Sequence, residues 1–313
     1  MDIPLQVPLW GWFAFIALIC GLLALDLGVF NRKVHVISVG EAARWTAFWV
    51  SLGLLFNLGI LIFAGPQPAL SFLTGYLIEY SLSVDNIFVF VLVFGAFGVP
   101  PQYQHRVLFW GIIGALLMRG AMIFLGVALI EQFSWIMYIF GGFLVFAGLR
   151  MLFSKDDGGI DVENNRALKF ARRIIPISDR YDGQKFFTRV NGVRMATPLL
   201  LVLIVVELTD LVFAIDSIPA IFAITTDPFL VFTSNIFAIL GLRSLYFLLA
   251  GIIHRFVYLK TGLAIILGYV GVKLLLVNTF HIPTLVSLSV IIVVLGTSIV
   301  ASLLKTRGDN ASV

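Results

Sequence analysis

Nine windows of about 20 mostly apolar residues follow one another along this 313-residue chain, at 9–30, 45–65, 70–98, 107–130, 132–153, 197–224, 229–252, 262–279 and 284–304. In a helix, 20 residues cover about 30 Å, the thickness of a bilayer's hydrocarbon core. Inside that core every backbone N–H and C=O must be satisfied within the protein, which leaves helices as the natural form for runs of this length. The chain is therefore expected to be an all-α polytopic membrane protein, one membrane domain over 1–313. Composition points the same way: 60% of residues are hydrophobic and 12% charged, with a mean hydropathy of +1.04. An ordinary soluble domain does not reach these values. Met1 to Trp10 carries no Lys or Arg, and the apolar run after it lacks a small-residue cleavage site. The first span thus reads as retained and not as a removed signal peptide.

The basic residues set the topology. Of 21 Lys and Arg, 17 lie in segments that follow odd-numbered spans, from Arg32, Lys33 and Arg44 to Lys305 and Arg307. The N-terminus and the segments after even-numbered spans hold none. The positive-inside rule then predicts an outside N-terminus and a cytoplasmic C-terminus. The net charge of +4 is absorbed by this topology and asks for no nucleic-acid partner. The 154–195 segment is the one sizeable extramembrane piece, expected as a solvated cytoplasmic loop with a short amphipathic helix at the anionic inner leaflet. Cys20 is the single cysteine, so no disulfide framework exists. A Walker-type loop, a Ser/His/Asp set and a His-Glu-x-x-His run are all absent, and the protein is not expected to be an enzyme.

Two spans carry acids that a membrane helix would ordinarily exclude. One reads Glu79-Tyr-Ser-Leu-Ser-Val-Asp85-Asn86-Ile; the other reads Glu207-Leu-Thr-Asp210-Leu-Val-Phe-Ala-Ile-Asp216-Ser217-Ile. Each carboxylate at the bilayer centre costs roughly 2.5–3.5 kcal/mol even on lenient scales, so these acids point to function. The material after them matches too: Arg119 then Phe124-Leu125, against Arg243 then Phe247-Leu248. The third spans end in Gly148-Leu-Arg150-Met-Leu and Gly271-Val-Lys273-Leu-Leu. A duplicated three-span unit is predicted, repeat A over 70–153 and repeat B over 197–279. An odd number of spans per unit requires opposite orientations, the 3+3 inverted arrangement of many secondary transporters.

Positions six apart on a regular helix differ by about 240°, so Glu79 and Asp85, or Asp210 and Asp216, share no narrow face. For both acids of a pair to reach one cavity the helix would have to break, and Asn86, Ser217 and Pro219 sit where it would. Carboxylate, amide and hydroxyl oxygens with freed carbonyls suit hard divalent cations. The competing reading pairs the acids with Arg119 and Arg243 as structural salt bridges, yet five acids against two arginines leave an excess of negative charge. Arg119 and Arg243 are expected to hold some of the acids in place, while Arg150 and Lys273 snorkel to the interface. Asp26, near the inner end of the first span, is an accessory candidate.

The two acidic segments resemble the signature segments of the TerC family of integral membrane proteins. Asp26-Leu-Gly-Val-Phe, Glu41-Ala and Tyr181-Asp-Gly-Gln-Lys-Phe-Phe are similar to its Alx-like bacterial branch. The resemblance covers roughly 10–305 and places the chain in a larger grouping with lysine exporters built on a 3+3 helix core. It implies a bacterial inner-membrane exporter of metal ions, most often Mn²⁺, with links to tellurite resistance. Glu79, Asp85, Asn86, Glu207, Asp210, Asp216 and Ser217 would be its ion-site residues. Mn²⁺ would be the transported ion and no cofactor would be bound permanently. Its partners would be the divalent cation and the lipid bilayer, with a homo-oligomer or a membrane-protein partner left open. The alternatives are a membrane-embedded assembly or scaffold factor, including a tellurite-resistance component, and a carrier of amino acids or other small solutes.

Overall fold

A computed structural model describes residues 5, 7–25, 37–133, 135–153, 176–178, 181–190, 192–250, 257–276, 279–280 and 282–311. Asp26 and the 154–175 stretch, with its expected amphipathic helix, lie outside the described residues. Among the described residues there are nine helices and one hairpin: α1 (Leu9–Leu25), α2 (Val39–Ala64), α3 (Pro66–Ala96), α4 (Pro101–Gln132), α5 (Ile136–Phe153), β1 (Phe187–Val190), β2 (Val193–Ala196), α6 (Pro198–Phe222), α7 (Pro228–Leu249), α8 (Leu259–Leu275) and α9 (Thr284–Ala311). Seven of the helices, all but α1 and α8, are long and apolar enough to cross a membrane. Large apolar side chains such as Phe63, Leu117, Val212 and Val293 are exposed on their outer faces. A soluble protein would not leave this much apolar surface open; lipid covers it. This is a multi-pass all-α membrane protein.

Punctuation in the chain explains the helix ends. Gly65 adopts φ 95° between α2 and α3, a left-handed backbone that glycine takes at little cost. Proline opens α3, α4, α6 and α7, where its missing N–H is not needed. Asp227 caps α7 by accepting from the Leu230 amide at 2.9 Å, and it also accepts from the Leu5 amide.

The nearly wholly buried α7 is the central element, packed by α2, α3 and α4, while α3 and α4 both touch α6. The most extensive contact joins α5 and α8, and glycines make it. A Cβ on Gly148 would come within 2.7 Å of the Ala264 carbonyl and 2.9 Å of the Gly268 amide. One on Gly271 would come within 2.8 Å of the Gly141 carbonyl and of the Val145 amide. The two backbones can meet this closely only because these positions lack side chains.

Two expectations need correction here. No break occurs at the acids: α3 runs through Asp85 and Asn86, and α6 runs through Pro219. Pro219 falls in the last turn of α6, so the hydrogen bond it deletes lies where the helix is already ending. Nor does Lys273 snorkel. It is buried, 8% exposed, and its Nζ donates to Ser287 Oγ at 2.9 Å, which also receives the Tyr269 hydroxyl at 3.1 Å. The serine on α9 gives the ammonium an internal partner, which removes the need to reach water.

Candidate functional site

The charged side chains that the sequence singles out come together between helices, not within one. Glu79 from α3 and Asp210 from α6 meet the guanidinium of Arg119, which comes from the middle of α4. Arg119 Nε and Nη2 donate to the two oxygens of Asp210 at 3.0 and 2.9 Å. Its Nη1 donates to Glu79 Oε1 and to Ser217 Oγ, the latter at 3.3 Å. Asn86 Nδ2 donates to Asp210 Oδ1 at 3.2 Å. Arg119, Glu79 and Asn86 are each 1% exposed, Ser217 2% and Asp210 3%. Two carboxylates face one guanidinium in a buried interior, where an unbalanced charge is expensive.

Helix geometry explains which residues face the cluster. Glu79, Ser83 and Asn86 follow one another at i, i+4 and i+7, a single stripe of α3. All three are buried, and Glu79 Oε2, Ser83 Oγ and Asn86 Oδ1 have no hydrogen-bond partner. That leaves three oxygen acceptors on one stripe, and buried acceptors are rarely left unmade. Ser83 is the residue that sequence reasoning overlooked, although its spacing from Glu79 and Asn86 places it on the same stripe.

Glu207 lies one turn before Asp210 on α6, and its carboxylate packs against Gly114 of α4, where any Cβ would overlap it. Glu207 Oε2 is also buried without a partner, and the charge of Asp210 acts on it. On its other side Asp210 faces a narrow cavity whose lining includes Gly111, Val206 and Arg243. Arg243 thus lines the same cavity as the acid that Arg119 holds. Asp216 diverges, as the 240° offset requires: it is half-buried, and the charge acting on it is that of Arg150 at the end of α5. The side chain of Asp85 and the whole of Asp26 lie outside the described residues. Among the described residues no group of three or more His, Cys, Asp or Glu gathers into a metal-ligand set; Arg119 stands between the acids.

The 64–310 stretch matches the model of the integral membrane protein TerC family. This chain belongs to the TerC family. Similar proteins align along nearly its whole length. The uncharacterized membrane protein STKORF319 of Myxococcus xanthus is 55% identical over 296 residues, covering 95% of this chain and 92% of the relative. A protein of Escherichia coli K12, described as a proposed membrane-bound redox modulator and named Alx, is 51% identical over 294 residues, 90% of each chain. An uncharacterized membrane protein of Rickettsia bellii is 42% identical, covering 94% of this chain and 97% of the relative. No solved structure matches the chain.

Proposed function

We propose that this TerC-family protein is a secondary-active exporter of divalent metal ions, with Mn²⁺ as the transported ion. It would work in a bacterial inner membrane with its N-terminus outside and its C-terminus in the cytoplasm, and would exchange the metal for protons. The observation that carries the reading is the buried cluster of Glu79 and Asp210 on Arg119, with unpartnered oxygens from Ser83, Asn86 and Glu207 beside it. Oxygen donors of this kind suit Mn²⁺, Mg²⁺ or Ca²⁺. In the conformation described here Arg119 occupies the two carboxylates, so an arriving cation would displace the guanidinium or share the acids with it. Asp85 and Asp216 would serve the ion on its way in or out.

Two inverted halves would supply alternating access. The α5–α8 contact favours this reading: Gly141 meets Gly271, and Gly148 meets Ala264. Exchanging 141 with 264 and 148 with 271, as the repeat alignment demands, maps this interface onto itself. Gly148 on Gly268 and Gly271 on Val145 are exchanged in the same way.

A scaffold role, including one in tellurite resistance, is the second reading. The β1–β2 hairpin segment favours it: Tyr181 donates to the Phe97 carbonyl and Gln184 to the Gln102 carbonyl, which gives an ordered surface that could receive a partner. The redox role in the name of the Escherichia coli relative meets a single thiol here, Cys20, which cannot close an intramolecular disulfide. The discriminating experiment measures cellular manganese by mass spectrometry in a manganese-sensitive bacterium expressing wild type, Asp85→Asn or Asp216→Asn at equal levels. Export predicts low manganese with wild type alone. Equal manganese in all strains and the empty-vector control would reject it.

A further inference from the structure

The hairpin that precedes α6 is fastened to the bundle on one face and left bare on the other. Tyr181 donates its hydroxyl to the Phe97 carbonyl at 2.8 Å, and Gln184 donates to the Gln102 carbonyl at 3.2 Å. Both bonds tie the segment to the turn between α3 and α4. Phe186 packs into the core beneath, with the Arg106 guanidinium 5.3 Å above its ring. Asp182 accepts from Thr188 at 2.8 Å and from Lys185 at 3.1 Å, and these bonds hold its carboxyl below the ordinary range.

The outer face has a different character. The strand register sets Arg189 directly opposite Arg194, and both are exposed. Side chains opposite each other in an antiparallel pair lie about 4.5–5.5 Å apart at Cβ, and like charges there repel. Arg194 leans over the Phe187 ring at 4.5 Å, and Phe187 itself is 43% exposed. Among the described residues neither guanidinium is hydrogen-bonded or ion-paired. Two exposed cationic side chains beside an exposed aromatic ring match a phosphate joined to an acyl chain.

Their height in the membrane follows from α6. Its 25 residues span about 37 Å, longer than the roughly 30 Å hydrocarbon core, so its ends reach the headgroup layer. Arg194 precedes Pro198 by four residues, at most about 14 Å of chain. We propose that the outer face of this hairpin is a docking site for anionic lipid headgroups, with Arg189 and Arg194 sharing one lipid phosphate and Phe187 lying at the interface. The positive-inside distribution puts this face at the cytoplasmic leaflet, whose negative surface attracts basic segments. The site would hold the hairpin, and the α3–α4 turn under it, against the membrane.

The test uses the full-length protein in mixed micelles of detergent with phosphatidylglycerol and phosphatidylcholine. Native mass spectrometry counts retained lipid for wild type, R189Q/R194Q and R189K/R194K. Wild type is expected to prefer phosphatidylglycerol, and the Gln pair to lose that preference by about thirtyfold, the Lys pair keeping most of it. Millimolar inorganic phosphate should leave the wild-type preference intact. The proposal is overturned by equal preference in wild type and the Gln pair, by a Lys pair as weak as the Gln pair, or by displacement of the lipid with inorganic phosphate.

Discussion

Arg119 is the residue on which the buried cluster depends. Its guanidinium pairs with both acids of the cluster, Glu79 and Asp210. Arg119→Gln is expected to destabilise the protein by about 3–5 kcal/mol, the usual cost of leaving buried charge uncompensated. If the cluster binds divalent cations, Mn²⁺ should restore part of that loss and stabilise the variant more than wild type. Thermal unfolding in detergent with and without Mn²⁺ checks both points; a loss that Mn²⁺ leaves unchanged would count against a cation site here. Ser83→Ala removes only a hydroxyl without a partner. It should leave the unfolding midpoint nearly unmoved while weakening Mn²⁺ binding about five- to tenfold, the worth of one oxygen ligand at hydrogen-bond scale. Titration of the purified variant with Mn²⁺ reads that change.

At the scale of elements, the α5–α8 crossing is a backbone-to-backbone contact. Gly148→Leu or Gly271→Leu would drive a side chain into carbonyls and amides less than 3 Å away, costing at least about 1–3 kcal/mol. Gly142, on the same helix, has open space within 4 Å of where a Cβ would sit, and Gly142→Ala should be neutral or stabilise by up to about 1 kcal/mol. Midpoints of thermal unfolding for the three variants separate these outcomes; equal midpoints would dissolve the argument for a tight crossing. Elements are also where sequence reading is strongest and where it stops. Apolar windows announce helices because the bilayer admits little else. The acids announce a polar site because the bilayer penalises them. The 240° offset within each pair is legible too, and it correctly separates Asp216 from Asp210. That Glu79 and Asp210 meet each other through Arg119 is not legible, because helix spacing says which way a side chain points and not which helix it faces. The break expected at Asn86, Ser217 and Pro219 fails for the same reason: contacts between helices, unseen in sequence, bring the oxygens together without unwinding either one. The hairpin stays hidden because four-residue strands leave too short a pattern to stand out from a loop.

For the whole molecule, the distribution of Lys and Arg predicts which loops cross the membrane. Alkaline phosphatase fused after residue 226 should be active outside the cytoplasm, whereas fusions after 185 or 258 should be inactive. The opposite pattern would invert the protein and, with it, the direction assigned to transport. The central claim is that the acid cluster between α3, α4 and α6 carries a divalent cation across the membrane. Uptake of labelled Mn²⁺ into inside-out vesicles carrying wild type, Asp210→Asn or Glu79→Gln, at matched levels of folded protein, tests it most directly. Wild-type vesicles should accumulate Mn²⁺ above empty vesicles, and both variants should fall at least tenfold. Uptake in the variants equal to wild type would show that the cluster only holds helices together, and wild-type uptake no higher than in empty vesicles would contradict Mn²⁺ export itself.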